Sequence, residues 1–85
     1  MAKVVMYTKD NCPYCVRAKN LLTERHIAFE EIHIDKVPGS REEMMARSGR
    51  QTVPQIFIND QAIGGFDDLW TLAVKGELDR LLKSG

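Results

Sequence analysis

With 85 residues, 44% of them hydrophobic, the chain has material for one small domain over residues 1–85, burying only somewhat more than about 60% of its unfolded surface. Twelve basic and twelve acidic residues cancel and are interspersed, so no long-range field draws nucleic acid or an anionic membrane to it. No stretch approaches the roughly 18–20 apolar residues of a membrane span, Met1-Ala2-Lys3 and the short run behind it make no signal peptide, and both cysteines lie in one Cys-x-x-Cys pair, so a cytoplasmic protein is expected, and its small size and uninterrupted motif set favour a monomer.

Val4-Val5-Met6-Tyr7-Thr8 is a short, apolar, β-branched run that reads as a strand, and Lys9-Asp10-Asn11 reads as the turn after it. Pro13 suits the first position of a helix, where a missing N–H costs nothing, which makes Cys12 the expected N-cap. Cys15 and Val16 then fall in the first turn, and Ala18, Leu21, Leu22 and Arg25 continue at helical spacing with Lys19 on the polar side. His26-Ile27-Ala28 turns the chain into a half-buried strand over 29–34, carried by Phe29, Ile32 and Ile34; strand, helix, strand implies a right-handed parallel crossover. Beyond the break at Val37-Pro38-Gly39, Ser40 and Glu43 read as a capping box opening a short helix through Met44, Met45 and Arg47 to Ser48-Gly49. Gln55-Ile56-Phe57-Ile58 is the next strand, Asn59-Asp60-Gln61 its turn and Ala62-Ile63-Gly64 the returning strand of a hairpin. A third helix runs from Phe66 to Lys75, with Asp67 and Asp68 at its positive end and Leu69, Leu72 and Ala73 as its apolar stripe; after Gly76, residues 77–82 make a short final helix.

The cysteine pair carries the chemistry. A sulfur at a helix N-terminus faces backbone N–H groups and the positive end of the macrodipole, both of which favour thiolate over thiol, so Cys12 is the expected nucleophile. Lys9, Arg17 and Lys19 add positive charge that is screened within roughly 8–10 Å. Cys15, one turn further in, is placed to attack a disulfide formed at Cys12. The competing use is a zinc half-site, but structural zinc takes four ligands, and neither His26 nor His33 stands at a ligand spacing; no metal is expected. Met44, Met45, Trp70 and both histidines are read as packing or surface residues.

The order βαβ, α, ββ, α is that of a thioredoxin-like α/β fold, a four-stranded mixed sheet flanked by helices. Cys12-Pro13-Tyr14-Cys15, Thr52-Val53-Pro54-Gln55-Ile56-Phe57-Ile58 and Gly64-Gly65-Phe66-Asp67-Asp68-Leu69 resemble, in order and spacing, three motifs of the dithiol glutaredoxins of small bacterial type. That resemblance implies a glutathione-dependent thiol–disulfide oxidoreductase whose partners are glutathione and disulfide-bonded or glutathionylated proteins. It also implies a cis Val53-Pro54 bond and backbone pairing of Val53 with the cysteinyl part of glutathione, supported by Thr52 and Pro54. The same resemblance puts the α-carboxylate on backbone N–H groups at Phe66 and Asp67, beside Gly65, and the ligand amine on Asp68. Lys9 and Arg41 correspond to residues near the glycine carboxylate, and Tyr14 to a wall of the groove. Family members often carry a small residue or Cys where Phe66 stands.

Deglutathionylation would need only Cys12, whereas reduction of a protein disulfide would need Cys15 to release the mixed disulfide. Family potentials of roughly −200 to −230 mV let the cellular thiol balance set the direction. Three other readings share some of these residues. A thioredoxin-like reductase lacks support because Trp-Cys-Gly-Pro-Cys is absent; an iron–sulfur carrier is opposed by the stiffening Pro13; and a non-catalytic binding module predicts an ordinary Cys12 pKa of about 8.5.

Overall fold

The computed structural model describes residues 2–83. Its elements are β1 (Val4–Thr8), α1 (Pro13–Glu24), β2 (Glu30–His33), α2 (Ser40–Ser48), β3 (Gln55–Ile58), β4 (Gln61–Gly64), α3 (Phe66–Val74) and α4 (Glu77–Lys83). The four strands form one sheet in the order β2-β1-β3-β4, with β1 parallel to β2 and antiparallel to β3, and β3 antiparallel to β4. The mixed sheet and its flanking helices match the expected fold class.

Every residue of β1 and β3 is buried, as happens when a sheet is covered on both faces. Strand alternation sorts them into two cores. Val4, Met6, Ile56 and Ile58 pack with Ala18 and Leu22 of α1, Leu69 and Ala73 of α3 and Leu78 of α4. Val5, Tyr7 and Phe57 point the other way and meet Met44 of α2. The central strands are thus clamped between three helices and one. The β3–β4 register skips Ile63, so that Ile56 opposes Gly64 while Phe57 opposes Ala62.

The end of α1 is fixed by backbone bonds rather than by glycine. Ile27 N–H donates to Leu22 O at 2.9 Å and His26 N–H to Thr23 O at 3.0 Å, the Schellman pattern, with His26 itself at φ 59°. The expected strand over 29–34 is shorter, and Ile34 already lies in the following turn while its N–H still donates to Thr8 O at 2.8 Å. Gln61 belongs to β4 rather than to the turn, and α3 ends one residue before Lys75, which caps it.

The capping box expected at Ser40 is not formed. Ser40 is the first residue of α2, and Gly39, at φ 80°, is the cap without a side-chain bond. The Ser40 hydroxyl donates backwards to Val37 O at 2.6 Å. Glu43 is drawn elsewhere: the buried Tyr7 hydroxyl donates to its Oε1, and Arg47 Nη1 donates to the same hydroxyl at 2.9 Å. A tertiary partner under the helix outcompetes the local cap.

Candidate active site

The C-terminal end of β1 hands the chain through Asn11, at φ 58°, to Cys12, which is extended (φ −117°, ψ 100°) and caps α1. Pro13 occupies the first helical position as expected, and Val16 N–H makes the first helical bond to Cys12 O at 3.1 Å. Cys12 Sγ accepts a hydrogen bond from Cys15 N–H at 3.2 Å. The two cysteines are joined as a disulfide, with Cα atoms 5.2 Å apart. Cys12 keeps 9% of its surface in contact with solvent and Cys15 only 1%, so Cys12 is the more exposed of the pair.

The loop into β3 passes beside this sulfur. Val53-Pro54 is cis, and Val53 O lies 3.8 Å from Cys12 Sγ. Next to it is a groove of about 200 Å³ that Tyr14 of α1, Thr52, Val53 and Pro54 of the loop, and Gly65, Phe66, Asp67 and Asp68 of the α3 entrance line together. The Tyr14 and Phe66 rings are 6.3 Å apart, and Arg17 lies over the outer side of Tyr14 at 5.2 Å. Eight of the ten residues that the resemblance assigns to glutathione therefore line one groove.

The ladder of α3 begins with Leu69 N–H donating to Gly65 O at 3.0 Å, which leaves the amides of Phe66, Asp67 and Asp68 outside it at the positive end of the helix. Asp68 reaches back to accept from Gly65 N–H at 3.0 Å. It also accepts from Arg50 Nη1 at 3.1 Å. The Gly65 amide first, and the guanidinium second, hold its carboxyl below the ordinary value. Gly64, at φ 122°, gives this carboxylate its room: a Cβ there would lie 2.7 Å from Asp68 Cγ.

Lys9 is elsewhere. It lines a second groove, of about 540 Å³, on the other flank of Cys12 and Cys15, together with Asp10, Lys19 and His33. Arg41 is exposed in the first turn of α2 and lines neither groove. Arg50 was missed by sequence reasoning. It lies 18 positions from Asp68, in a segment with no periodicity, and nothing in the sequence distinguishes it from other surface arginines.

The glutaredoxin family model matches residues 4–63. The chain is 58% identical to Glutaredoxin 3 of Escherichia coli (strain K12) over 83 residues, 98% of this chain and all of that one. The solution structure of glutaredoxin from Brucella melitensis superposes with a TM-score of 0.87 at 50% identity, covering all of this chain and 92% of that one. The crystal structure of a buckwheat glutaredoxin–glutathione complex does so with a TM-score of 0.89 at 27% identity, covering 98% of this chain and 78% of that one.

Proposed function

We propose, from the premise that this chain belongs to the glutaredoxin family, how its residues divide the work of glutathione-dependent thiol–disulfide oxidoreduction through Cys12 and Cys15. The observation that carries the assignment is the Cys12 sulfur at the N-terminus of α1, with the Cys15 amide donating to it at 3.2 Å, because a donor already aimed at the sulfur stabilises it as a thiolate. On a glutathionylated substrate, Cys12 thiolate attacks the glutathione sulfur, the substrate thiolate leaves, and a second glutathione thiolate displaces Cys12 and departs as glutathione disulfide. On a protein disulfide, Cys12 forms the mixed disulfide and Cys15 thiolate attacks Cys12 Sγ, releasing the second substrate thiolate. Two glutathiones then reduce the Cys12–Cys15 disulfide and leave oxidised.

Glutathione occupies the groove between Tyr14 and Asp68 in this reading. Its cysteinyl backbone pairs with Val53, its α-carboxylate takes the amides of Phe66 and Asp67, and its α-ammonium meets Asp68. Thr52, Pro54 and Gly65 shape the wall, while Lys9 approaches the glycine end from across Cys12. Arg41, exposed in the first turn of α2, is assigned with Lys9 to the glycine carboxylate. The buckwheat complex supports glutathione as the ligand. The substrates are disulfide-bonded and glutathionylated proteins, handled by a monomer in the cytoplasm; among the described residues no helix is long and apolar enough to cross a membrane.

The test is turnover of a glutathione mixed disulfide by wild type, Cys12→Ser and Cys15→Ser, with glutathione and glutathione reductase as the only electron source. Loss at Cys12 with activity kept at Cys15 supports the division of labour. Loss in both variants would refute it.

A further inference from the structure

We propose that the groove between α1 and α3 docks the polypeptide of disulfide-bonded substrates, taking an extended stretch beside the reacting cysteine that carries an apolar side chain and a carboxylate. The proposal rests on the reading that lays a substrate backbone against Val53, and carries that backbone past Phe66. The groove has a volume of about 360 Å³. Its floor is Leu21 and Ala73, which pack into the core shared by α1 and α3. Along α3, Phe66, Trp70 and Val74 follow at every fourth position and so line one side of the helix. Leu69 and Ala73 already supply the face that meets the sheet. Trp70 and Val74 are left 52% and 60% exposed, apolar surface that the fold itself does not use.

Two observations choose the occupant. The first is continuity with the glutathione groove. Phe66 lines both grooves, and Tyr14, whose ring is 6.3 Å from that of Phe66, carries Arg17 on its outer side at 5.2 Å. A peptide paired with Val53 therefore passes from one groove into the other along an unbroken aromatic surface. The α3 wall from Phe66 to Val74 is about 12 Å long at 1.5 Å per residue, which is three or four residues of extended chain at about 3.3 Å each. Glutathione has a single residue on that side of its cysteine, so a longer polypeptide is needed to fill the groove.

The second observation is charge. Arg17 and Arg25 stand on the α1 wall against one carboxylate, Glu24. Neither guanidinium has a carboxylate partner among the described residues. An acidic residue of the substrate supplies one, and aromatic and arginine side chains together are what protein interfaces are rich in. A second copy of this chain, meeting the groove with the same face, would bring two guanidinia for each carboxylate, so charge favours a foreign acidic segment.

The experiment compares two synthetic peptide dimers as substrates, each made of two identical chains joined by one disulfide. The first chain is Glu-Trp-Val-Cys-Val-Trp-Glu and the second Gln-Ser-Ser-Cys-Ser-Ser-Gln. Glutathione and glutathione reductase supply the electrons: two glutathiones are oxidised to glutathione disulfide as two peptide thiols are released, and the uncatalysed rate is subtracted. The expected result is a wild-type kcat/KM about tenfold higher for the first dimer. Trp70→Ala and Arg25→Glu should each bring the two dimers within about twofold of one another. Both variants should turn over a small glutathione mixed disulfide as wild type does, which also shows that they fold. Wild type inactive on that small substrate would overturn the glutathione reading and this proposal with it. With that turnover intact, equal wild-type rates on the two dimers, a preference that survives either substitution, or a dimer of the protein in sedimentation that Trp70→Ala dissociates would overturn the docking proposal alone.

Discussion

Replacing Gly64 by alanine should damage the protein far more than the same change at Gly65, although the two glycines are adjacent. At Gly64 the backbone is at φ 122°, and the new methyl would collide with the Asp68 carboxylate, 2.7 Å from its Cγ and 3.1 Å from Arg50 Nη1. Holding a non-glycine residue in such a conformation costs about 1–3 kcal/mol. Driving Asp68 off the Gly65 amide and Arg50 adds about 1 kcal/mol, a value reduced because the carboxylate is 45% exposed and water replaces part of what it loses. A domain of this size loses roughly 4–8 °C of Tm per kcal/mol, so Gly64→Ala should melt about 10–25 °C below wild type. At Gly65 a Cβ would meet only Pro54 O at 3.5 Å, and φ is −91°, which any residue adopts. Gly65→Ala should keep the wild-type Tm or gain a few degrees from the stiffer unfolded chain. Thermal unfolding of the three proteins by circular dichroism decides the matter. Equal losses at both positions, or a Gly64→Ala Tm close to wild type, would refute the claim that Gly64 exists to admit Asp68.

Arg50→Ala should raise KM for a glutathione mixed disulfide about fivefold, what about 1 kcal/mol amounts to, with kcat unchanged; steady-state kinetics checks it, and a fall in kcat alone would show that Arg50 acts elsewhere. Because the folded protein depresses the Asp68 pKa, the stabilisation its charge gives is complete above the ordinary carboxyl value of about 4 and fades as pH falls through the lower folded value. Denaturant titrations should therefore show the stability gap between wild type and Asp68→Asn closing in acid, and a gap independent of pH would contradict the assignment. Tyr7→Phe removes the buried hydroxyl shared by Glu43 and Arg47 and should cost about 1 kcal/mol by chemical denaturation, since both partners regain water; no measurable loss would mean that the network is decorative.

What the sequence determined by itself is what rests on neighbours in the chain. The starts of α1, α3 and α4, the Cys12 cap with Pro13 behind it, Cys15 one turn further in and the β3–β4 hairpin follow from periodicity, proline geometry and turn residues, and all are present in the structure. The local rule failed at Ser40, where the capping pattern was intact but Glu43 had a better partner in Tyr7 of β1, 36 positions away. Tertiary structure alone decided the pairings between segments with no common period: Arg50 with Asp68, Gly64 as the space for that carboxylate, Lys9 on one flank of Cys12 with the Tyr14–Asp68 groove on the other, and His33 between Glu31 and Asp10. The physical reason is range. Backbone capping and side-chain periodicity act within a turn or two of the chain, whereas a charge or a lone pair takes whatever the sheet order β2-β1-β3-β4 brings within a few ångströms.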